Sequence, residues 1–142
     1  MKLEHIGIAV DDLEASEALF EELLQTKVYK REEVPSQSVI TSFLQIKNTK
    51  IELLNSTDPD GPIARFIKNR GPGVHHLAFE VENIREEMER LQKAGYTLIN
   101  KEPQRGADNK WVVFLHPRST GKVLIELCQN IEPDKSSEYS DT

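Results

Sequence analysis

An internal repeat constrains the fold of this chain more than any other feature of its sequence. The segment HIGIAVDDL at 5–13 matches the segment HLAFEVENI at 76–84, which begins 71 residues later. Both segments start with histidine and alternate apolar with small or polar residues. Both then continue with valine, an acidic residue and, two positions further on, an apolar residue. Because alternation of this kind is typical of a strand, the repeat predicts two copies of one supersecondary unit.

Each repeat continues with the pattern of an amphipathic helix and then with that of three strands. Apolar residues recur at three-to-four spacing after Asp12 and after Asn83, and these two residues occupy the predicted N-cap positions. The strands that follow are predicted at 27–30, 43–46, 51–54, 96–99, 112–115 and 123–127. The sequence therefore predicts two βαβββ units.

The length of 142 residues is typical of one domain. We interpret residues 1–129 as a single α+β domain, in which units at about 1–55 and 74–129 form a curved sheet around a cavity. The linker 56–73 carries turn signals and a short helical pattern. Residues 130–142 are acidic, contain several serines and have few apolar side chains, which predicts a disordered tail.

Composition and charge exclude several classes of function. The net charge of −6, without a clustered basic face, argues against a nucleic-acid partner. No apolar run approaches the roughly 20 residues of a membrane span, and no signal-peptide pattern is found, so we expect a cytoplasmic protein without membrane contact. Cys128 is the only cysteine. A metal site would therefore have to use histidine, aspartate or glutamate.

Two histidines and two glutamates occupy matching positions in the two predicted units. A histidine begins the first strand of each unit, and a glutamate lies in the last strand. Strand alternation turns all four side chains away from the apolar face that packs on the helices. Two buried carboxylates are costly unless a cation neutralises them, and imidazole and carboxylate donors suit Zn²⁺, Co²⁺, Mn²⁺ or Ni²⁺. We therefore predict one divalent metal ion bound by His5, Glu52, His76 and Glu126.

These motifs resemble the vicinal oxygen chelate superfamily, which includes glyoxalase I, extradiol dioxygenases and methylmalonyl-CoA epimerases. The similarity is greatest to the epimerases, and it runs from about Leu3 to Gln129. The stretches that carry it are HIGIAV at 5–10, IELL at 51–54, GVHHLAF at 73–79, FLHP at 114–117 and VLIEL at 123–127. The resemblance implies the vicinal oxygen chelate fold, with a curved sheet around a metal cavity. It also implies an acyl-CoA thioester substrate and a homodimer.

The activity that the resemblance implies is the epimerisation of methylmalonyl-CoA, in which a proton leaves C2 and returns on the opposite face. The metal would stabilise the enediolate, and Glu52 and Glu126 are the candidate catalytic acid and base. Some epimerases carry a further carboxylate on the strand before the first hairpin, where Thr41 stands here. Because threonine replaces that carboxylate here, the resemblance leaves open which residue is the second base.

Two other functions are compatible with the same pattern. A lactoylglutathione lyase of the glyoxalase I type can use the same four ligands and the same kind of proton transfer. A non-catalytic small-molecule binding protein of the superfamily is the third hypothesis. Such proteins commonly lack the ligand set, so the presence of the set favours an enzyme.

Three further polar residues lie next to these motifs. His75 precedes His76, and alternation directs it to the helix side of its strand, where we expect a packed or hydrogen-bonded histidine. Gln37 is expected to border the cavity. His116 lies in a loop before Pro117, where a substrate contact and a structural role in the turn are equally compatible with the sequence.

Overall fold

The fold consists of two βαβββ modules with one additional helix between them. A computed structural model describes residues 1–132. Its strands and helices are, in chain order, β1 (Lys2–Ala9), α1 (Leu13–Leu24), β2 (Lys30–Val34), β3 (Val39–Ile46), β4 (Thr49–Ser56), α2 (Pro62–Arg70), β5 (Gly73–Glu80), α3 (Ile84–Lys93), β6 (Gln104–Gly106), β7 (Lys110–Leu115) and β8 (Ile125–Asn130). The predicted fold class is confirmed. Most of the predicted acidic tail, residues 133–142, lies outside the described residues.

The helices of the two modules begin in the same way. The Asp12 side chain accepts a hydrogen bond from the backbone N–H of Ala15 at 3.0 Å, and α1 follows it. In the second module the Asn83 side chain accepts from the backbone N–H of Glu86 at 3.1 Å, ahead of α3. A capping side chain satisfies a backbone donor that has no partner within the helix. Both N-cap predictions are confirmed.

All eight strands form one sheet, in the order β2-β3-β4-β1-β5-β8-β7-β6. The two modules meet at its centre, where β1 and β5 pair antiparallel, and each of these strands pairs parallel with the last strand of its own module. The sheet curves into a nearly closed barrel. Among residues 1–132, no helix is long and apolar enough to cross a membrane.

The apolar face of the sheet packs against α1 and α3, as the strand alternation predicts. Leu13 of α1 packs with Leu53 of β4, and Met88 of α3 packs with Leu127 of β8. Burial of each such side chain contributes about 1.5–3 kcal/mol. Because the helices cover the outer face, the inner face is left to the polar side chains of β1, β4, β5 and β8.

Two predicted strands are wrong in position. The strand expected at 27–30 is β2 at 30–34, and the strand expected at 96–99 is β6 at 104–106. Residues 96–99 contribute only an isolated bridge from Leu98 to Leu115 of β7. Both true strands lie at the edges of the sheet, where side chains stay partly exposed and need no apolar alternation. The sequence of β2, KREEV, has a single apolar residue and therefore no alternation of apolar with polar residues.

The turn between β6 and β7 connects the second module to the first. Asp108 in this turn accepts hydrogen bonds from Lys30, at 2.7 Å, and from Lys50 of β4. The backbone N–H of Asp108 donates to Glu32 at 3.0 Å. Burial raises the pKa of Asp108, but the hydrogen bonds from the two lysines outweigh it and lower this pKa to about 2. The β6–β7 hairpin is thus bound to strands β2 and β4.

We expect Asp108→Asn to lower the free energy of unfolding at neutral pH by about 1–3 kcal/mol, because two ammonium groups lose their charged acceptor. A carboxylate with a depressed pKa stabilises the fold above its unfolded-state pKa of about 3.9, and this stabilisation is lost as the pH falls through the folded-state pKa. The stability of the variant should therefore fall less than that of the wild type between about pH 5 and pH 2. Urea unfolding at several pH values measures this, with the exposed Asp60→Asn as control. Parallel pH profiles for wild type and Asp108→Asn would contradict the expectation.

Candidate metal centre

Four neighbouring strands bring the predicted ligands to the inner face of the sheet. In the strand register, Glu52 of β4 and His76 of β5 flank Gly7 of β1 from its two sides. His5 lies two residues before Gly7 on the same face, and Glu126 projects from β8. Each of the four side chains belongs to a residue that is only 4–5% exposed. The structure therefore gathers them in one buried region.

Three of the four side chains point their donor atoms at a common position. The Nε2 atoms of His5 and His76 are 3.0 Å apart. Glu126 places one carboxylate oxygen 3.5 Å from Nε2 of His5 and the other 3.6 Å from Nε2 of His76. Ligand atoms at about 2.0–2.2 Å from a metal in tetrahedral or octahedral geometry are about 2.8–3.6 Å from one another. These side chains could therefore hold a divalent ion between them.

Glu52 takes a different position from the other three. Its carboxylate lies 2.9 Å from Nδ1 of His5, on the far side of that ring from His76. Together with Glu4, these donors form a second group close enough to hold a cation. However, the Nζ atom of Lys50 lies 2.9 Å from Glu4 and already neutralises that carboxylate. The second group is therefore a poor cation site, and the first group is the candidate metal centre.

Burial and charge pairing shift the pKa values of the candidate ligands. Burial lowers the pKa of His5, but hydrogen bonds to Glu4 and Glu52 outweigh it and raise this pKa to about 10. Burial raises the pKa of Glu126 to about 7. The pKa of His76 is held well below its usual value by burial and by the neighbouring His5. Binding of a metal must therefore displace a proton from His5, and a bound cation would replace the charge of that proton.

His75 supports the ring of His76. The Nδ1 atoms of the two residues are 2.9 Å apart, so the Nε2 atom of His76 is left to face the site. Burial lowers the pKa of His75 to about 4, so this ring is neutral and can accept a hydrogen bond. The ring also packs edge-on against Phe66 of α2, at 4.9 Å between centroids. The ring is packed and hydrogen-bonded as expected, but its expected orientation is wrong. A register shift between β1 and β5 turns His75 beside His76 at the cavity instead of toward the helix side of the strand.

A cavity of about 290 Å³ borders His76. Its wall is mainly apolar, with Val39, Leu54 and Phe114 among the lining residues, and Gln37 borders it as expected. A concave apolar wall with a few polar groups is typical of a small-molecule site. A larger cleft of about 840 Å³ at the start of α3 is lined mostly by acidic and amide side chains and includes none of the four ligands. The smaller cavity is the one that adjoins the candidate centre.

The sequence profile of the glyoxalase/bleomycin resistance protein/dioxygenase superfamily matches residues 4–114. The chain belongs to this superfamily. Within it, the chain is 40% identical over 129 residues to the mitochondrial methylmalonyl-CoA epimerase of Homo sapiens, covering 90% of this chain and 73% of the relative. It is 41% identical over 130 residues to the ethylmalonyl-CoA/methylmalonyl-CoA epimerase of Cereibacter sphaeroides, covering 90% and 97% of the two chains. These relatives identify it as an enzyme of the epimerase type.

A solved structure of the superfamily agrees with this relationship. A variant of the Streptomyces coelicolor methylmalonyl-CoA epimerase, in complex with 2-nitronate-propionyl-CoA, superposes with a TM-score of 0.90. The sequences are 28% identical, and the match covers 93% of this chain and 99% of the Streptomyces chain. The fold and its two modules are therefore shared over nearly the whole length.

Glu4 is a buried residue of the site that the sequence did not predict. Regular alternation would turn Glu4 outward, but a register shift between Leu3 and His5 in the pairing of β1 with β5 turns it inward. Glu4 is 5% exposed and pairs with Lys50 at 2.9 Å and with Lys110 at 3.7 Å. Lys50 and Lys110, which lie just before two of the predicted strands, were the available signal, because an ammonium group that becomes buried requires an acidic partner.

The structure assigns His116 to the turn. Its Nδ1 atom accepts a hydrogen bond from the backbone N–H of Arg118 at 3.1 Å, at the start of a short 3₁₀ turn. Of the two roles that the sequence left open, the structure therefore favours the one in the turn.

Proposed function

We propose that this protein is a divalent-metal-dependent epimerase of methylmalonyl-CoA. The observation that carries the proposal is the convergence of His5, His76 and Glu126 on one position beside an apolar cavity. This arrangement occurs in a chain that is 40–41% identical to methylmalonyl-CoA epimerases. A carboxylate and two imidazoles at such a position are suited to proton transfer next to a carbonyl group.

The donor set fits a divalent ion of the Zn²⁺, Co²⁺, Mn²⁺ or Ni²⁺ kind. We propose His5, His76, Glu126 and Glu52 as its ligands, with the Glu52 side chain turned from His5 toward the ion. When bound, the ion supplies Lewis-acid stabilisation of the negative charge that develops on the substrate oxygens. Two nitrogen and two oxygen donors with two carboxylate charges would balance the charge of the ion.

Glu126 is the first candidate for moving the C2 proton. Burial raises its pKa to about 7 when no ion is bound. This pKa falls when a cation is bound, so the carboxylate would have to move off the ion to accept the proton, and its return to the ion would favour release of that proton. Glu52 comes from the equivalent strand of the other module, which supports a role on the opposite face of C2. Thr41 is buried, and its hydroxyl group is not a base at neutral pH. We therefore propose Glu52 and Glu126 as the acid and base pair.

The proposal is tested by exchange of the C2 proton of methylmalonyl-CoA with deuterium from D₂O, followed by NMR with metal-loaded protein. We expect exchange to proceed, to stop when a chelator removes the metal, and to resume when the ion is added back. Absence of exchange by the metal-loaded protein would contradict the proposal.

A lactoylglutathione lyase is the alternative that the same donor set supports. Metal-loaded protein supplied with methylglyoxal and glutathione should show no turnover if the epimerase proposal is right. Clear turnover of the hemithioacetal would favour the lyase instead. The homodimer stays a prediction, and analytical ultracentrifugation would check it.

A further inference from the structure

We propose that Glu4 is a positioning residue that holds the His5 ring in place and thereby leaves Glu52 available to the metal and to proton transfer. The inference rests on the proposed function in one respect, namely that a divalent ion binds Nε2 of His5. It concerns a residue that does not touch the proposed ion, and it is argued from hydrogen bonds and backbone register.

Two carboxylates compete for the same atom of His5. Glu4 places Oε1 3.1 Å from Nδ1 of His5, and Glu52 places Oε2 2.9 Å from the same atom. A histidine that binds a metal through Nε2 carries its proton on Nδ1 and donates it to one acceptor. One of the two carboxylates is therefore sufficient to orient the ring, and the other can leave.

Glu4 is the carboxylate that cannot leave. Its oxygens also meet Lys50 at 2.9 Å and Lys110 at 3.7 Å, and both ammonium groups belong to side chains that are 8% exposed. Withdrawal of Glu4 would take a carboxylate away from both of these nearly buried charges, which is costly. Among residues 1–132, the carboxylate of Glu52 forms an ion pair with His5 alone. Glu52 is therefore the carboxylate that can turn away.

In both modules, the course of the backbone places the residue before the candidate ligand histidine next to the ring of that histidine. The pairing of β1 with β5 shifts register between Leu3 and His5, and again between Gly7 and Ile8, where His75 is the extra residue opposite. A bulge re-aims a side chain that a regular strand would point the other way. In each module the re-aimed residue immediately precedes the ligand histidine and contacts its Nδ1 atom. Glu4 thus holds the same place beside His5 that His75 holds beside His76.

The decisive comparison is between Glu4→Gln and the matched control Glu80→Gln. Glu80 also contacts Lys110, at 3.6 Å, but it does not contact His5. Co²⁺ is titrated into each metal-free protein, and its visible absorption gives both the dissociation constant and the ligand geometry. A neutral amide accepts the Nδ1–H bond more weakly than a carboxylate, so Glu52 should take its place beside His5. We therefore expect roughly 10–100-fold weaker binding and an altered spectrum for Glu4→Gln, the usual effect of changing such a support. The control should match the wild type in both respects.

A folded Glu4→Gln variant, verified by circular dichroism, with the wild-type affinity and spectrum would overturn the inference. Should that variant not fold, Glu4→Asp keeps the charge that Lys50 requires and withdraws the carboxylate from His5 by one methylene group. Wild-type Co²⁺ binding by Glu4→Asp would then contradict the role equally. Failure of the wild-type protein to bind Co²⁺ would contradict the metal centre and both proposals, whereas unchanged binding by the variants contradicts the role of Glu4 alone.

Discussion

Replacement of Glu126 with glutamine is expected to stop epimerisation and to lower C2 proton exchange by at least about 10³-fold for the epimer whose proton Glu126 removes. General acid–base catalysis contributes about 10²–10⁴-fold, and this carboxylate is also a proposed metal ligand, so two contributions are lost together. A glutamine side chain has nearly the same shape but cannot take up a proton, so the fold should be preserved. Burial raises the pKa of Glu126 to about 7 in the metal-free site, so this carboxyl group can take up a proton near neutral pH once it has moved off the ion. Deuterium exchange followed by NMR measures the rate directly.

The control for this variant is Glu80→Gln, which removes a carboxylate of the same sheet away from the site and should keep the wild-type rate. Glu52→Gln provides a sharper comparison. If the two glutamates act on opposite faces of C2, Glu52→Gln and Glu126→Gln should both stop epimerisation, and each should still exchange the proton of one epimer, the opposite one in each case. More than about a tenth of the wild-type exchange rate with both epimers in Glu126→Gln would argue against its role as acid or base.

Replacement of Gly7 with alanine is expected to weaken metal binding by at least about 10²-fold, although the change adds only one methyl group. A Cβ atom at this position would lie 2.2 Å from Cε1 and 2.5 Å from Nδ1 of His76. The His76 ring is buried and is also contacted by His75 and Phe114, so it can yield only by moving its Nε2 atom. Displacement of a metal ligand should weaken metal binding at least as much as the loss of a residue that supports a ligand. Titration with Co²⁺ measures the loss.

The matched control for Gly7→Ala is Gly106→Ala. There a Cβ atom would lie 2.8 Å from a methyl group of Val112, in β7 and outside the metal centre. Overpacking of this kind costs about 1–3 kcal/mol, so both variants should lose stability in urea unfolding. Only Gly7→Ala should lose affinity for Co²⁺. Equal affinities in the two folded variants would show that the His76 ring accommodates the extra methyl group without displacing Nε2.

The parts of the fold that depend on local pattern were predictable. Strands β1 and β5 follow from period-two alternation repeated in two segments, and the starts of α1 and α3 follow from Asp12 and Asn83. The edge strands β2 and β6 were misplaced, because an edge strand buries little and its residues carry little alternation. Strands that bury one face were therefore predictable from their alternation, whereas the exposed edge strands were not.

The sequence by itself determined the duplicated βαβββ architecture and the two His–Glu pairs on equivalent strands of the two modules. Only the tertiary structure decided that Glu4 turns inward, that Glu52 lies against Nδ1 of His5, and that an apolar cavity adjoins His76. The physical reason is that a bulge is a property of two paired strands. Strands β1 and β5 come from distant parts of the chain, and no local sequence signal records where their register shifts.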